Sequence, residues 1–258
     1  MGGHAGVTRT RAILAPPHSA DLRTLARTRV LLAFDYDGTL SPIAPTPEQA
    51  GLPASTRQFL TRMAERYPIA VISGRALADI SGRVADIGVR QIFGNHGLEW
   101  LGGTSQPCPR VRQWVRQLGE QLGGHDGIFI EDKLHSLSVH YRATADHERA
   151  LRLILPVART LPDVRVINGA AAVNLLPSDG ANKGVALRRA LETSGCDAAI
   201  YVGDDATDED AFGALPPERL LAIRIGSSAA SLARYHLDSQ ESIDLLLRVL
   251  LEARDRSS

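Results

Sequence analysis

Cysteine, methionine and tryptophan are scarce in this 258-residue chain, with two of each, and aromatic residues reach only 5%. Cys108 and Cys196 have no metal-ligand spacing between them, which speaks against a cysteine-ligated metal and leaves two buried free thiols as the expectation. Neither sign of charge is in excess: 29 Lys plus Arg balance 29 Asp plus Glu, and no segment concentrates the basic residues. A nucleic-acid footprint, which needs a one-signed stripe or face, is thereby excluded. A negative small molecule would be held by a few placed groups and a metal. No apolar run reaches membrane-spanning length, and the first 20 residues carry Arg but no apolar export stretch. A cytoplasmic protein with no membrane partner is the expectation. Repeats and low-complexity tracts are absent too. What is present, 44% hydrophobic and 22% charged residues, is the balance of a globular chain long enough for one large or two small domains.

Short apolar runs ending in polar or glycine-containing turns organise the sequence. Val30 to Phe34 runs into Asp35, Ile69 to Ile72 into Ser73-Gly74-Arg75, and Gln91 to Phe93 into Gly94-Asn95-His96-Gly97. Ala199 to Val202 runs into Gly203-Asp204-Asp205, and Leu220 to Ile225 into Gly226. Three to six residues long and apolar on both faces, they predict central strands of a parallel sheet. Helical stripes lie between them: Leu60, Met63, Ala64 and Tyr67 with Ser55 as N-cap, and Ala186, Leu187, Ala190 and Leu191 closed by Gly195. Alternation of this kind implies an α/β fold with a Rossmann-like parallel-sheet core, whose ligands sit at the carboxyl ends of the strands.

From about Gly102 to Pro177 the rhythm changes. A helix (Val111, Trp114, Val115, Leu118, Leu122) precedes strands at Ile128–Lys133 and Leu137–Arg142. A second helix (Leu151, Ile154, Leu155, Ala158, with Asp146 as N-cap) precedes strands at Val164–Ile167 and Ala171–Leu176. This αββαββ order predicts a smaller α+β cap domain, residues 102–177, inserted into a core of residues 18–101 and 178–258. Residues 1–17 read as a flexible tail.

The chemistry sits at the strand ends. Asp35 and Asp37, two residues apart after a strand, can share one crevice, Asp35 attacking phosphorus while Asp37 gives a proton to the leaving oxygen. Gly38 allows the turn that returns Asp37 over the site. Asp and Gly also serve ordinary turns, and the acids of Asp204-Asp205-Ala206-Thr207-Asp208 also suit a capped helix start. Together, however, four carboxylates facing one crevice would repel each other and any phosphate without a cation, and magnesium favours carboxylates, waters and a phosphate. Ser73, Gly74 and Arg75 offer donors for phosphoryl oxygens, and Lys183, opening a helix after Asn182, can offset charge between nucleophile and phosphate.

Asp35-Tyr36-Asp37-Gly38-Thr39, Ser73, Lys183 and Gly203-Asp204-Asp205 resemble the four motifs of the haloacid dehalogenase-like superfamily, over residues 30 to 250 or so. That resemblance implies Asp35 as nucleophile, Asp37 as general acid/base, and Ser73 and Lys183 as phosphoryl ligands. It implies Mg2+ held by Asp35, the backbone carbonyl of Asp37 and Asp204, with Asp208 in support. A narrower resemblance is to trehalose-6-phosphate phosphatases, through Gly94-Asn95-His96-Gly97-Leu98-Glu99, Glu131-Asp132-Lys133 and His140-Tyr141-Arg142. It implies a small sugar phosphate as substrate, read by Asn95, His96, Glu131, Lys133, Ser136, His140, Arg142 and Asn174, and a functional pairing with a sugar-phosphate synthase. Strand alternation independently puts Ser136, Ser138, His140 and Arg142 on one face, which equally suits a solvent-facing sheet. One departure stands out: where the family usually has Glu-x-Arg/Lys-Pro, this chain reads Asn174-Leu175-Leu176-Pro177. Another glycosyl phosphate therefore stays open as the substrate; a phosphomutase, which the core motifs do not separate, and a non-catalytic sensor, against which the Asp35/Asp37 pair speaks, are further alternatives, and a monomer is expected.

Overall fold

The computed structural model describes residues 10–103, 108–169 and 171–255. In chain order its elements begin with β1 (Arg11–Ala12), α1 (His18–Ala26), β2 (Val30–Phe34), α2 (Ala54–Ala64), β3 (Ile69–Ile72), α3 (Leu77–Arg83), β4 (Gln91–Gly94) and β5 (Glu99–Trp100). A second group comprises α4 (Pro109–Leu122), β6 (Phe129–Asp132), β7 (Leu137–His140), α5 (His147–Arg159), β8 (Val164–Gly169) and β9 (Ala172–Pro177). The chain returns through α6 (Lys183–Ser194), β10 (Ala198–Gly203), α7 (Glu209–Phe212), β11 (Leu220–Ile225), β12 (Tyr235–Leu237) and α8 (Ile243–Asp255).

The first and third groups share one sheet, in the order β1-β12-β11-β10-β2-β3-β4-β5. All its pairings are parallel except the antiparallel edge pair β4 and β5. Its central strands are apolar on both faces because both faces are covered. Leu32 and Phe34 pack with Leu60, Met63 and Leu246 on one side, while Leu31, Ala33 and Tyr201 pack with Leu187, Ala190 and Phe212 on the other. Each fully buried Leu, Met or Phe among them contributes roughly 1.5–3 kcal/mol. Strand order reverses between β2 and β10, and a crevice opens at their carboxyl ends, as expected at such a switch point.

The second group forms an antiparallel sheet, β6-β7-β9-β8. Leu137, Val139, Val173 and Leu175 turn one face onto Val111, Trp114, Leu118 and Ile154 of the two helices. Period-2 alternation puts Glu131, Ser138, His140, Arg165 and Asn174 on the other face, with Phe129, Ile167, Ala172 and Leu176 among them.

Local signals were mostly kept. Asp146 caps α5, accepting from the Arg149 N–H at 2.8 Å, and Gly195 closes α6 in the left-handed region at φ +65°. Ser55 does not cap α2. The chain enters that helix at Ala54 behind Pro53, so Ser55 lies inside the first turn. The expected tail is corrected in its second half: Arg11 and Ala12 pair with Tyr235 and His236, and Ile13 is fully buried. An open sheet edge and an apolar side chain tie this stretch down; residues 1–9 lie outside the described residues. Cys108 and Cys196 are free but half-buried, not buried as expected.

Candidate active site

Parallel pairing of β2 with β10 sets Phe34 beside Val202, and the Asp35 N–H donates to the Val202 carbonyl at 2.9 Å. Asp35 and Asp204 thus leave adjoining strand ends. Oxygens of Asp35, Asp204 and Asp208 all lie within 4.8 Å of one another. Lys183 enters from the start of α6, where Asn182 Oδ1 accepts from the Val185 N–H at 3.0 Å. Its Nζ lies 2.8 Å from Asp208 Oδ1, 3.0 Å from Asp35 Oδ1 and 4.0 Å from Asp205 Oδ1, with 2% of the side chain exposed. The turn after β2 is tight against this cluster: Gly38 has φ +80°, and a methyl group there would overlap the Asp204 carboxylate.

Charge does not balance here. Four acids, Asp35, Asp204, Asp205 and Asp208, surround one buried ammonium. Burial pushes the Asp35 carboxyl well above its ordinary range, Lys183 pulls it back, and Asp208, Asp204 and Asp205 push it up again. Asp204 is pushed up to about 7 by burial and then by Asp208 and Asp205. Burial opposes the charge on Lys183, but Asp208, Asp35 and Asp205 overcome it and hold the ammonium above its usual range. For Asp205 burial is outweighed by Lys183 and by the Thr207 hydrogen bonds, so its carboxyl sits low. An excess of clustered, half-neutralised carboxylates fits a divalent cation such as Mg2+, with Asp35 and Asp204 as its side-chain ligands. Asp208 is the least available of the three. Its oxygens already accept from Lys183, from the Tyr201 hydroxyl at 2.6 Å, and from the Asp204 and Asp205 N–H groups at 3.0 Å.

The remaining predicted residues divide into those that reach the crevice and those that do not. A cavity of about 910 Å³ joins Asp35, Asp37, Gly74, Arg75, His96, Lys183 and Asp204 to Glu131, Lys133, His140, Arg142 and Asn174 of the second sheet. Asp37 is gripped by Arg75, Nε to Oδ2 and Nη2 to Oδ1, both at 2.7 Å, while Arg75 Nη1 donates to Asp79 at 2.7 Å. Burial works against the Arg75 charge, but these two carboxylates hold it above its usual range. So the Arg75 guanidinium, expected for phosphate, is turned onto Asp37 and Asp79, and Asp37 is not one of the three clustered acids. Ser73 is fully buried beneath the crevice, its Oγ accepting from the Arg75 N–H at 3.2 Å.

On the sugar side, burial and then Lys183 hold His96 down at about 3, so its ring is neutral. Glu131 accepts from His140 at 2.8 Å and lies 3.4 Å from Lys133; burial pushes its carboxyl up, but these partners win and hold it at about 2. Asn174 accepts from the Ser138 hydroxyl at 2.7 Å, and Arg142 donates to the Ala44 carbonyl. Asn95 and Ser136 are corrected. Neither lines the cavity; Asn95 Nδ2 donates to Glu99 and to the Lys133 carbonyl, and its Oδ1 accepts from Ser136, so the pair stitches the two sheets together. At the departure from the family pattern, Leu176 is buried opposite Arg165, whose guanidinium pairs with Asp210 at 2.6 and 2.8 Å. Sequence reasoning assigned no role to Tyr201, Asp79 or Thr39, whose hydroxyl donates to Asp204 at 3.3 Å. For Asp79 the i,i+4 spacing from Arg75 was a usable signal.

The trehalose-phosphatase family model matches residues 33–241, most of the chain. The chain belongs to this family. Among trehalose-phosphatase relatives, the trehalose-phosphate phosphatase of Mycobacterium tuberculosis H37Rv is 34% identical over 87% of this chain. The chain spans 63% of that relative's length. Among solved structures, the C-terminal domain of the C. albicans trehalose-6-phosphate phosphatase superposes with a TM-score of 0.80 at 22% identity, covering 94% of this chain and 98% of that one. The Aspergillus fumigatus trehalose-6-phosphate phosphatase, 26% identical, gives 0.64 over 95% and 99%. These trehalose-phosphatase structures share the α/β fold with its parallel-sheet core.

Proposed function

We infer that this protein hydrolyses trehalose 6-phosphate to trehalose and inorganic phosphate, through an aspartyl-phosphate on Asp35 and with Mg2+ as its metal. The observation that carries this reading is the meeting of Asp35, Asp204, Asp208 and Lys183 at the floor of a cavity whose other wall carries Glu131, Lys133, His140, Arg142 and Asn174 of the second sheet. The names of the relatives support trehalose 6-phosphate as the substrate. In this reading residues 102–177 act as the cap, and the enzyme works as a monomer on the product of a sugar-phosphate synthase.

Asp35 Oδ attacks phosphorus in line, and the bond from phosphorus to the sugar oxygen breaks. Asp37 gives its proton to that oxygen, then takes one from the water that cleaves the acyl phosphate. Arg75, donating to both oxygens of Asp37, orients that side chain. Lys183 offsets charge on Asp35 and on the phosphoryl oxygens, and Asp208 with Tyr201 holds the ammonium in place. Mg2+ bound by Asp35, Asp204 and the Asp37 carbonyl would neutralise the carboxylates and absorb phosphoryl charge. His96, Glu131, Lys133, His140, Arg142 and Asn174 would take the sugar hydroxyls and exclude water.

The test is phosphate release with Mg2+ across trehalose 6-phosphate, glucosylglycerol phosphate, glucosylglycerate phosphate and hexose phosphates. Trehalose 6-phosphate is expected to be preferred, without a bisphosphate activator, and Asp35→Asn to abolish turnover. Preference for a monosaccharide phosphate, or near-normal turnover by Asp35→Asn, overturns the reading.

A further inference from the structure

The cavity-facing side of the second sheet carries Glu131, His140 and Asn174 with one aromatic ring, Phe129, among them. Phe129 opens β6 and by strand alternation shares its side with Glu131, while Ile130 between them packs into the core beneath the helices. Phe129 is cross-strand partner to His140, the two rings lie within 27° of parallel with centroids 6.1 Å apart, and His140 in turn holds Glu131 at 2.8 Å. The ring is thus set in a fixed attitude beside two hydrogen-bonding side chains.

It is also uncovered. Phe129 is 63% exposed, whereas Phe34, Phe93 and Phe212 are buried and Phe59 is partly buried against the core. On the core side of the same cavity Ile43 is 55% exposed. Asp35 is 4% exposed against 63% for Phe129, so Phe129 stands at the open mouth of the cavity whose floor Asp35 lines. A pyranose has hydroxyls around its rim and C–H groups on its faces. A flat aromatic ring takes the C–H face while flanking acid and imidazole groups take hydroxyls, the mix of apolar surface and placed polar groups that small-molecule sites use.

Resting on the phosphatase reading, we propose that Phe129 is the stacking platform for the sugar ring remote from the phosphate. It is a specificity-determining residue that makes two-ring glycosyl phosphates the preferred substrate class. A monosaccharide phosphate, anchored at the cavity floor, would leave this ring bare.

The experiment compares wild type, Phe129→Ala, Phe129→Leu and Phe129→Trp with trehalose 6-phosphate and glucose 6-phosphate. Phe129→Ala is expected to lower the selectivity for trehalose 6-phosphate over glucose 6-phosphate roughly tenfold, the loss falling on KM more than on kcat. Phe129→Trp restores it and Phe129→Leu does not, because the flat face and not apolar volume is what matters. Unchanged selectivity in Phe129→Ala, equal losses on both substrates, or full rescue by Leu overturns the proposal. If wild type releases no phosphate from trehalose 6-phosphate, the phosphatase reading has failed by itself. Calorimetric binding of trehalose 6-phosphate then decides for Phe129: weaker binding to Phe129→Ala supports it, while equal binding or none refutes it.

Discussion

Replacing Lys183 with methionine keeps most of the side chain's length and removes its charge. The ammonium lies 2.8 Å from Asp208 and 3.0 Å from Asp35, contacts that at an effective dielectric constant near 20 are each worth about 5–6 kcal/mol before desolvation. Removing one partner of a buried pair costs a net ~3–5 kcal/mol. For a chain of this size each kcal/mol moves Tm by about 2–4 °C, so Lys183→Met is expected to melt roughly 6–20 °C lower without metal. The pH dependence carries the sign. With its folded pKa raised, Lys183 contributes fully below its ordinary value of 10.5 and loses that contribution only as pH rises through the raised one. Across pH 4–8 the lysine's own term is therefore constant. The variant leaves Asp35 and Asp208, both already raised, without their cation. Such carboxyls bind protons more tightly folded than unfolded, so the variant loses stability as pH climbs above the ordinary carboxylate range. Thermal denaturation followed by circular dichroism is expected to show a small Tm gap at pH 4 and the full gap at pH 8, with phosphate release falling roughly 10²–10³-fold. A gap of equal size at both pH values would refute the charge argument, and so would none at pH 8.

Two further expectations follow from the same cluster. With Asp204 at about 7 when folded and 3.8 as its ordinary value, metal-free stability is expected to fall as pH rises from about 4 to 7, by up to about 4 kcal/mol. Mg2+ is then expected to raise Tm more at pH 8 than at pH 5, and to release protons on binding at pH 6; equal Tm gains would count against it. Gly38→Ala forces a Cβ into the Asp204 carboxylate at φ +80°, and is expected to weaken Mg2+ binding and to lower kcat/KM about 10²-fold. Gly82→Ala in α3, with open space around the added methyl, is the matched control, and comparable kinetic losses in both would sink the steric reasoning.

The core of this fold was legible because its signals are local. Four- to six-residue apolar runs such as Val30–Phe34 and Leu220–Ile225 matched their strands end for end, and the stripe on α2 faced the core as its 3.6 period required. Asp146 and Gly195 marked helix ends through chemistry confined to one turn. The strand pairing of Arg11 and Ala12 was not legible: two residues carry no periodicity, and the edge they pair with comes from residues more than 200 positions away. For the candidate site, Asp35, Asp204 and Lys183 could be grouped from sequence because each closes a strand or opens a helix at the same sheet edge. Partners within the group could not.

The sequence alone determined which segments form the strand and helix ends at the crevice edge, since strand and helix periods, glycine turns and caps depend on neighbours a few residues apart. Tertiary structure alone decided how those groups divide their bonds. It gave Asp37 to Arg75, turned Asn95 and Ser136 into a stitch between two sheets, and brought Lys183 from another element onto Asp208. Hydrogen-bond geometry is won or lost over tenths of an ångström, and only strand order, register and packing between distant segments set distances that finely.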